Sequence, residues 1–262
     1  MDFALHLPLN GVSFGQVSTA LLREFHERGV QPSLFTVGQI DLSSQEEVTP
    51  EFNQWIQEGI RRAFEEYNRD TPVFKLWHLN QDSLSSYGKD QTLFTFYELD
   101  HPTSFEVNIA NNQKNIIVSS TYAKKILEDH GVNNCHYIPL GFDKHNFHVK
   151  DNDYLKDKIV FNLGGKLEKR KHHKEVIQAW LKKYGNNKDY VLQCAIANPF
   201  LKEEDFSSHI SQILEGKQYF NINFLGMMQK NSLYNDFLNS ANIILGMSGA
   251  EGWGLPEFQS IT

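Results

Sequence analysis

Two loop segments hold the residue types from which an anion site can be made. The first, Gly164-Gly-Lys-Leu-Glu-Lys-Arg-Lys171, heads a basic run that reaches Lys174. The second, Ser248-Gly-Ala-Glu-Gly-Trp-Gly254, leads into Leu255 and Pro256. Glycines let a backbone come close to a ligand, and free amides at a helix start attract negative charge. The lysines of the first loop and such amides suit phosphate, while the Glu251 carboxylate suits sugar hydroxyls. Together they fit a ligand with one charged phosphate part and one neutral, hydroxyl-rich part.

Strands and helices alternate nearly throughout, which predicts an α/β architecture with parallel sheets. Phe3, Leu5 and Leu7 alternate as in a strand. Val17, Ala20, Leu21 and Phe25 keep helical spacing up to Gly29, and the series from Phe52 to Tyr67 is the clearest amphipathic helix. Strands are expected at 73–79, 92–99, 115–120 and 135–140, with a helix at 121–130. Lys150-Asp-Asn-Asp153 reads as a linker. After it come strand 158–163, helix 172–184, strand 190–197, helix 206–215, strand 219–225, helix 231–240 and strand 243–247. The run Asn242 to Met247 reads as a buried strand. Two Rossmann-like doubly wound domains follow, 1–150 and 151–262, the second incomplete with four strands.

The common doubly wound strand order is 3-2-1-4-5-6, and ligands bind where the chain order reverses, beyond the carboxyl ends of the strands. In that order the first and fourth strands of the second domain, 158–163 and 243–247, are neighbours. The loops leaving them are the two segments above, so the cations and the glycine-rich turn are expected to share one crevice.

At these residues the chain resembles the retaining glycosyltransferases of the GT-B fold, specifically the large group-1 family (family 4). That family carries Glu-Gly-aromatic-Gly-Leu-Pro with a second acid eight positions after the first. Glu251-Gly-Trp-Gly-Leu-Pro256 is similar to it. Lys166 and Lys171 resemble the family's Arg and Lys with four residues between. Ile138-Pro-Leu-Gly-Phe-Asp143 with Phe147 looks like its interdomain segment, and Asn223-Phe-Leu-Gly226 and the stretch from Leu233 to Leu245 fit its pattern before the signature. The likeness runs from about residue 92 to the end, and more weakly through Asn10-Gly-Val-Ser-Phe-Gly15.

The resemblance implies transfer of a sugar from a nucleotide-sugar donor to a glycan, lipid or protein acceptor, with retention of configuration and without a metal or other cofactor. Lys166 and Lys171 would hold the donor diphosphate. Glu251 would take sugar hydroxyls, with the backbone of Gly252, Trp253, Gly254 and Leu255 assisting. Gly11 and Gly15 complete the binding set, and Asp100 or His101 is expected near the reacting centre. Two positions depart from the pattern: Lys stands for Arg at 166, losing a planar fork, and Gln259 stands where the second acid is expected. Glu257 is a poor substitute, because two helical residues turn about 200°. A catalytically impaired nucleotide- or sugar-binding relative is the alternative reading.

Charge and composition set the remaining bounds. Residues 1–150 hold twelve Lys and Arg against nineteen Asp and Glu, and the rest of the chain thirteen of each. An acidic first half argues against a nucleic-acid partner and against docking on anionic lipid. Cys135 and Cys194, far apart in apolar surroundings, read as reduced thiols of a cytoplasmic protein. No secretory leader and no bilayer-length apolar run is expected. No Gly-x-Gly-x-x-Gly follows a strand and no Gly-x4-Gly-Lys-Ser/Thr loop occurs, which disfavours dehydrogenase and nucleoside-triphosphatase chemistry. His172 and His173 read as surface or packing residues, and the Glu98–Asp100 pair as a loop cap or cleft wall. Met227 and Met228 either border a nucleobase or fill core.

Overall fold

A computed structural model describes residues 2–261. The chain divides into two compact units, residues 2–143 with Glu251–Trp253, and Lys144–Ala250 with residues 254–261. Both are α/β with parallel sheets of Rossmann type. Among the described residues no helix is long and apolar enough to cross a membrane.

In the first unit β1 (Ala4–Pro8), α1 (Ser13–Glu27), β2 (Ser33–Val37), α2 (Pro50–Glu65) and β3 (Val73–Leu76) are followed by a 3-10 turn at Gln81–Leu84. β4 (Gln91–Thr95), α3 (Ser104–Asn111), β5 (Asn115–Val118), α4 (Thr121–Asp129) and β6 (Cys135–Tyr137) complete it. The sheet order is β2-β1-β3-β4-β5-β6, with the reversal between β1 and β3. All five residues of β1 are buried, as expected of a strand covered on both faces by helices. Leu5, Leu7, Leu9, Leu22, Leu34, Phe52 and Ile56 pack into one core with Leu76 and Phe94.

Local chemistry explains where several of these helices start. The Thr49 hydroxyl accepts the Phe52 N–H at 3.2 Å, Pro50 supplies a preset first turn, and Phe52, Ile56, Gly59 and Ala63 then face inward. α3 starts on a capping box: Thr103 accepts the Glu106 N–H at 3.2 Å and Glu106 accepts the Thr103 N–H at 2.7 Å. Neither β2 nor α3 was among the expected elements. Only eight residues long, with two Asn and two β-branched residues, α3 lacks a strong helical period, and its cap supplies what propensity does not.

The second unit runs β7 (Ile159–Gly164), α5 (His173–Tyr184), β8 (Tyr190–Ala195), α6 (Glu203–Ile213), β9 (Ile222–Phe224), α7 (Asn231–Asn239), β10 (Ile243–Leu245) and α8 (Leu255–Gln259). Its sheet order is β10-β7-β8-β9, so the unit's first and fourth strands are neighbours, with Ile243, Ile244 and Leu245 opposite Phe161, Asn162 and Leu163. Phe161, Leu163, Ile177, Trp180, Leu192, Cys194 and Ile196 form its core. The expectation that the run to Met247 is a buried strand fails. β10 spans three residues, Ile243 is 41% exposed and Met247 65%. Among the described residues β10 is an edge strand paired with β7 alone, and an apolar run does not report what lies beside or over it.

Candidate functional site

The loop leaving β7 is held before any ligand arrives. Gly165 turns it with φ +97°, a conformation that favours glycine, and the Lys171 side chain folds over that glycine. The Leu167 N–H donates to the Ile196 carbonyl at 3.0 Å, and the Asn198 side-chain amide donates to the Leu167 carbonyl at 3.0 Å. Lys169–Lys171 form one 3-10 turn, and His172, at φ +52°, starts α5. A left-handed non-glycine residue costs about 1 kcal/mol. His173 points inward, buried, with Nε2 3.3 Å from the Gly164 carbonyl.

Three charged side chains of this loop pair with one another. Lys166 Nζ lies 2.7 Å from Glu168 Oε1 and sits over the Phe200 ring, 5.0 Å from its centroid. Glu168 Oε2 accepts from Arg170 Nε at 3.1 Å. Burial pulls the Glu168 carboxyl up, but the hydrogen bond and charge of Lys166 and the charge of Arg170 outweigh it, leaving its pKa below the ordinary carboxylate value.

Arg170 also ties this loop to the one leaving β10. Its carbonyl accepts the Gly249 N–H at 2.7 Å, and its Nη1 donates to the Ala250 carbonyl and lies 3.5 Å from Ser248 Oγ. Ser248 Oγ donates to the same Ala250 carbonyl at 3.0 Å. The His172 ring packs on Gly249, where a Cβ would come 3.0 Å from Nε2. The two segments expected to share a crevice therefore meet through Arg170, which is not among the expected site residues. Resemblance to the family's basic pair points to Lys166 and Lys171; the one signal for Arg170 is its place in the same basic run.

Past the turn, Gly254 (φ +80°) precedes α8, Pro256 occupies the first turn, and Gln259 is buried. The Glu257 carboxylate folds back against Gly246 and Gly254. A Cβ on Gly164 would lie 3.4 Å from the Tyr234 hydroxyl, whose pKa is raised by burial and then by the Glu257 charge. Met228 packs beside Phe147, Phe237 and Leu238, whereas Met227 is half-exposed.

The remaining candidates lie in the first unit, at the carboxyl ends of its strands. Ser119, just after β5, donates to the Gly252 carbonyl at 2.7 Å. Gly252 lies against Phe96, just after β4, so closely that a Cβ would come 2.5 Å from the Phe96 Cβ; any side chain there would force a shift. Phe96 in turn packs on Phe14 of α1, with ring centroids 4.9 Å apart. Glu251 and Trp253, flanking Gly252, are both partly buried. Gly15 begins α1 tight against Asn10, and a Cβ at Gly11 would lie 3.0 Å from Ser44 Oγ. Asp100 Oδ1 and His101 Nδ1 lie 3.3 Å apart on the loop between β4 and α3, both well exposed.

No family model matches the sequence, and neither does any curated protein. Solved structures do. Sucrose-phosphate synthase from Thermosynechococcus elongatus is similar over 98% of this chain and 78% of its own, at 12% identity and a TM-score of 0.68. Anabaena HepE, solved with UDP and glucose, is similar over 98% and 78%, at 14% identity and a TM-score of 0.64. A UDP-forming α,α-trehalose-phosphate synthase from Burkholderia xenovorans is similar over 99% and 81%, at 12% and 0.61.

The fold is that of the GT-B glycosyltransferases. At these identities the likeness carries the GT-B fold and no residue assignment. The geometry of the two joined loops is this chain's own.

Proposed function

We propose that this GT-B chain is a glycosyltransferase that moves a sugar from a nucleotide-sugar donor to an acceptor, with retention of configuration and without a metal. One observation carries the reading: the loops leaving the adjacent strands β7 and β10, one cationic and one glycine-rich, are joined through Arg170 at the reversal of strand order. The neighbours add support, since HepE was solved with UDP and glucose.

In this reading Lys166 and Lys171 receive the donor diphosphate. The bond between the anomeric carbon and the diphosphate oxygen breaks, its electron pair stays with the diphosphate, and the lysines stabilise that charge as it develops. An acceptor hydroxyl oxygen forms the new bond to the anomeric carbon and passes its proton to the departing diphosphate oxygen. Glu251 accepts hydrogen bonds from sugar hydroxyls, with amides from Gly252 to Leu255 assisting, and Gln259 offers an uncharged contact to the ribose. Gly11 and Gly15 belong to the donor-binding set, and Asp100 and His101 are assigned to the neighbourhood of the reacting centre. Cys135 and Cys194 are unpaired and buried, which favours a cytoplasmic setting.

Titration calorimetry with UDP, GDP and ADP and their common sugar conjugates tests the proposal, together with hydrolysis of the conjugates. One nucleotide should bind and its sugar conjugate should turn over; no binding and no turnover would remove the reading. A second reading, a nucleotide- or sugar-binding relative without catalysis, is favoured by Gln259. Lys171→Ala and Glu251→Ala separate the two: a transferase loses turnover in both, whereas a binding relative has no turnover in wild type and loses ligand affinity alone.

A further inference from the structure

Lys166, one of the two cations assigned to an anionic ligand, already has an anion. Glu168 presents one carboxylate oxygen to each of two cations, Oε1 to Lys166 at 2.7 Å and Oε2 to Arg170 at 3.1 Å. Two oxygens bridging two cationic side chains is the arrangement a phosphate group makes. The pairs are only partly shielded, with side-chain exposures of 36%, 29% and 33% for Lys166, Glu168 and Arg170. Solvent, and hence a dissolved anion, reaches them. Phe200 covers a further side of the Lys166 ammonium, so any anion taking that cation comes into competition with the Glu168 carboxylate.

We propose that Glu168 is an internal counter-ion which an incoming diphosphate displaces, and that it sets the affinity of this loop for such ligands. The inference rests on the reading of the loop as a diphosphate site. Like charges repel, so a carboxylate left beside the bound anion, or pushed out to solvent, lowers the affinity of the loop. The loop backbone does not depend on it: Leu167 is held by Ile196 and Asn198, and Gly249 by the Arg170 carbonyl. Removing the Glu168 charge thus takes the counter-ion from Lys166 and from Arg170 Nε, while Arg170 Nη1 stays on the Ala250 carbonyl and the backbone stays anchored.

The test is titration calorimetry of the full chain at low salt with inorganic pyrophosphate and, separately, UDP. Wild type, Glu168→Gln, Glu168→Ala, Lys166→Met and the Lys166→Met/Glu168→Gln double variant are compared, with melting temperatures as a check on folding. Both Glu168 variants should bind pyrophosphate about fivefold more tightly than wild type, the scale of a partly exposed ion pair. That gain should disappear in the Lys166→Met background. Unchanged or weaker binding overturns the inference, as does a gain that survives without Lys166, which would reflect net charge alone. Pyrophosphate binding absent from wild type and both Glu168 variants overturns it too. UDP that binds no better than pyrophosphate in every variant defeats the nucleotide reading instead and leaves the role of Glu168 standing.

Discussion

β1 and β10 look alike as strings of letters: each is a short apolar run that ends before a glycine-bearing loop. In the structure they have opposite standing. β1 is paired on both sides, by β2 and β3, and every residue of it is buried. β10 is paired on one side, and its first residue is 41% exposed. The difference shows that a strand's neighbours, which no local pattern encodes, decide how much its side chains contribute. It also shows that the loop after β10 takes its order from contacts made by the loop itself.

Substitutions can widen or collapse this contrast. Leu7→Ala in β1 should cost about 3–4 kcal/mol, since a fully buried leucine is removed from a core that has little room to relax. Chemical denaturation checks it, and a loss below about 1 kcal/mol would mean that β1 is not the packed centre described here. His6, also in β1, should make that region sensitive to acid. Burial, and then the charge of Lys75, lower its pKa from 6.5 to about 4. The folded state therefore prefers the neutral ring, so stability is complete above pH 6.5 and is lost as pH falls from 6.5 towards 4. The loss is on the order of 3 kcal/mol. His6→Leu should flatten melting temperature against pH across that window; an unchanged slope would point to other groups.

Helix starts sharpen the same contrast between the units. Side chains of Thr49, Thr103 and Ser120 cap α2, α3 and α4 in the first unit, where α1 alone starts without one, whereas none caps α5, α6, α7 or α8 in the second. Thr103→Ala should cost about 1 kcal/mol and release amide exchange in the first turn of α3. Lys202→Asp, which supplies a cap to α6, should add about 0.5–1 kcal/mol. The smallest effect is expected at the edge: Ile243→Thr should change stability by less than about 0.5 kcal/mol. A cost near that of Leu7→Ala would show that β10 is covered in solution.

Much of this was legible in the sequence because it is repeated along the chain. The alternation of elements and the helix from Phe52 to Tyr67 follow from patterns many residues long, whereas the adjacency of the first and fourth strands of the second unit follows from the common doubly wound order and from no pattern of its own. β2 and α3 escaped because each is short, and α3 depends on a cap whose two partners are three residues apart rather than on a period. At the site, the two loops were readable from glycines, cations and the signature around Glu251. Arg170 and Glu168 were not. Their roles come from which partner each finds across the fold, the Ala250 carbonyl for one and two cations for the other. Residue type alone names the charge and leaves its partner open.

The bond from the Gly249 N–H to the Arg170 carbonyl has a consequence for motion. With the Arg170 guanidinium on the Ala250 carbonyl, it fastens two segments nearly eighty residues apart in sequence at both backbone and side chain. Such loops cannot be ordered one at a time. A ligand that steadies either steadies both, so the ordering entropy of the pair is spent before binding rather than during it. Gly249, an amide in the middle of a glycine-rich turn, should then exchange with deuterium as slowly as an amide inside a sheet.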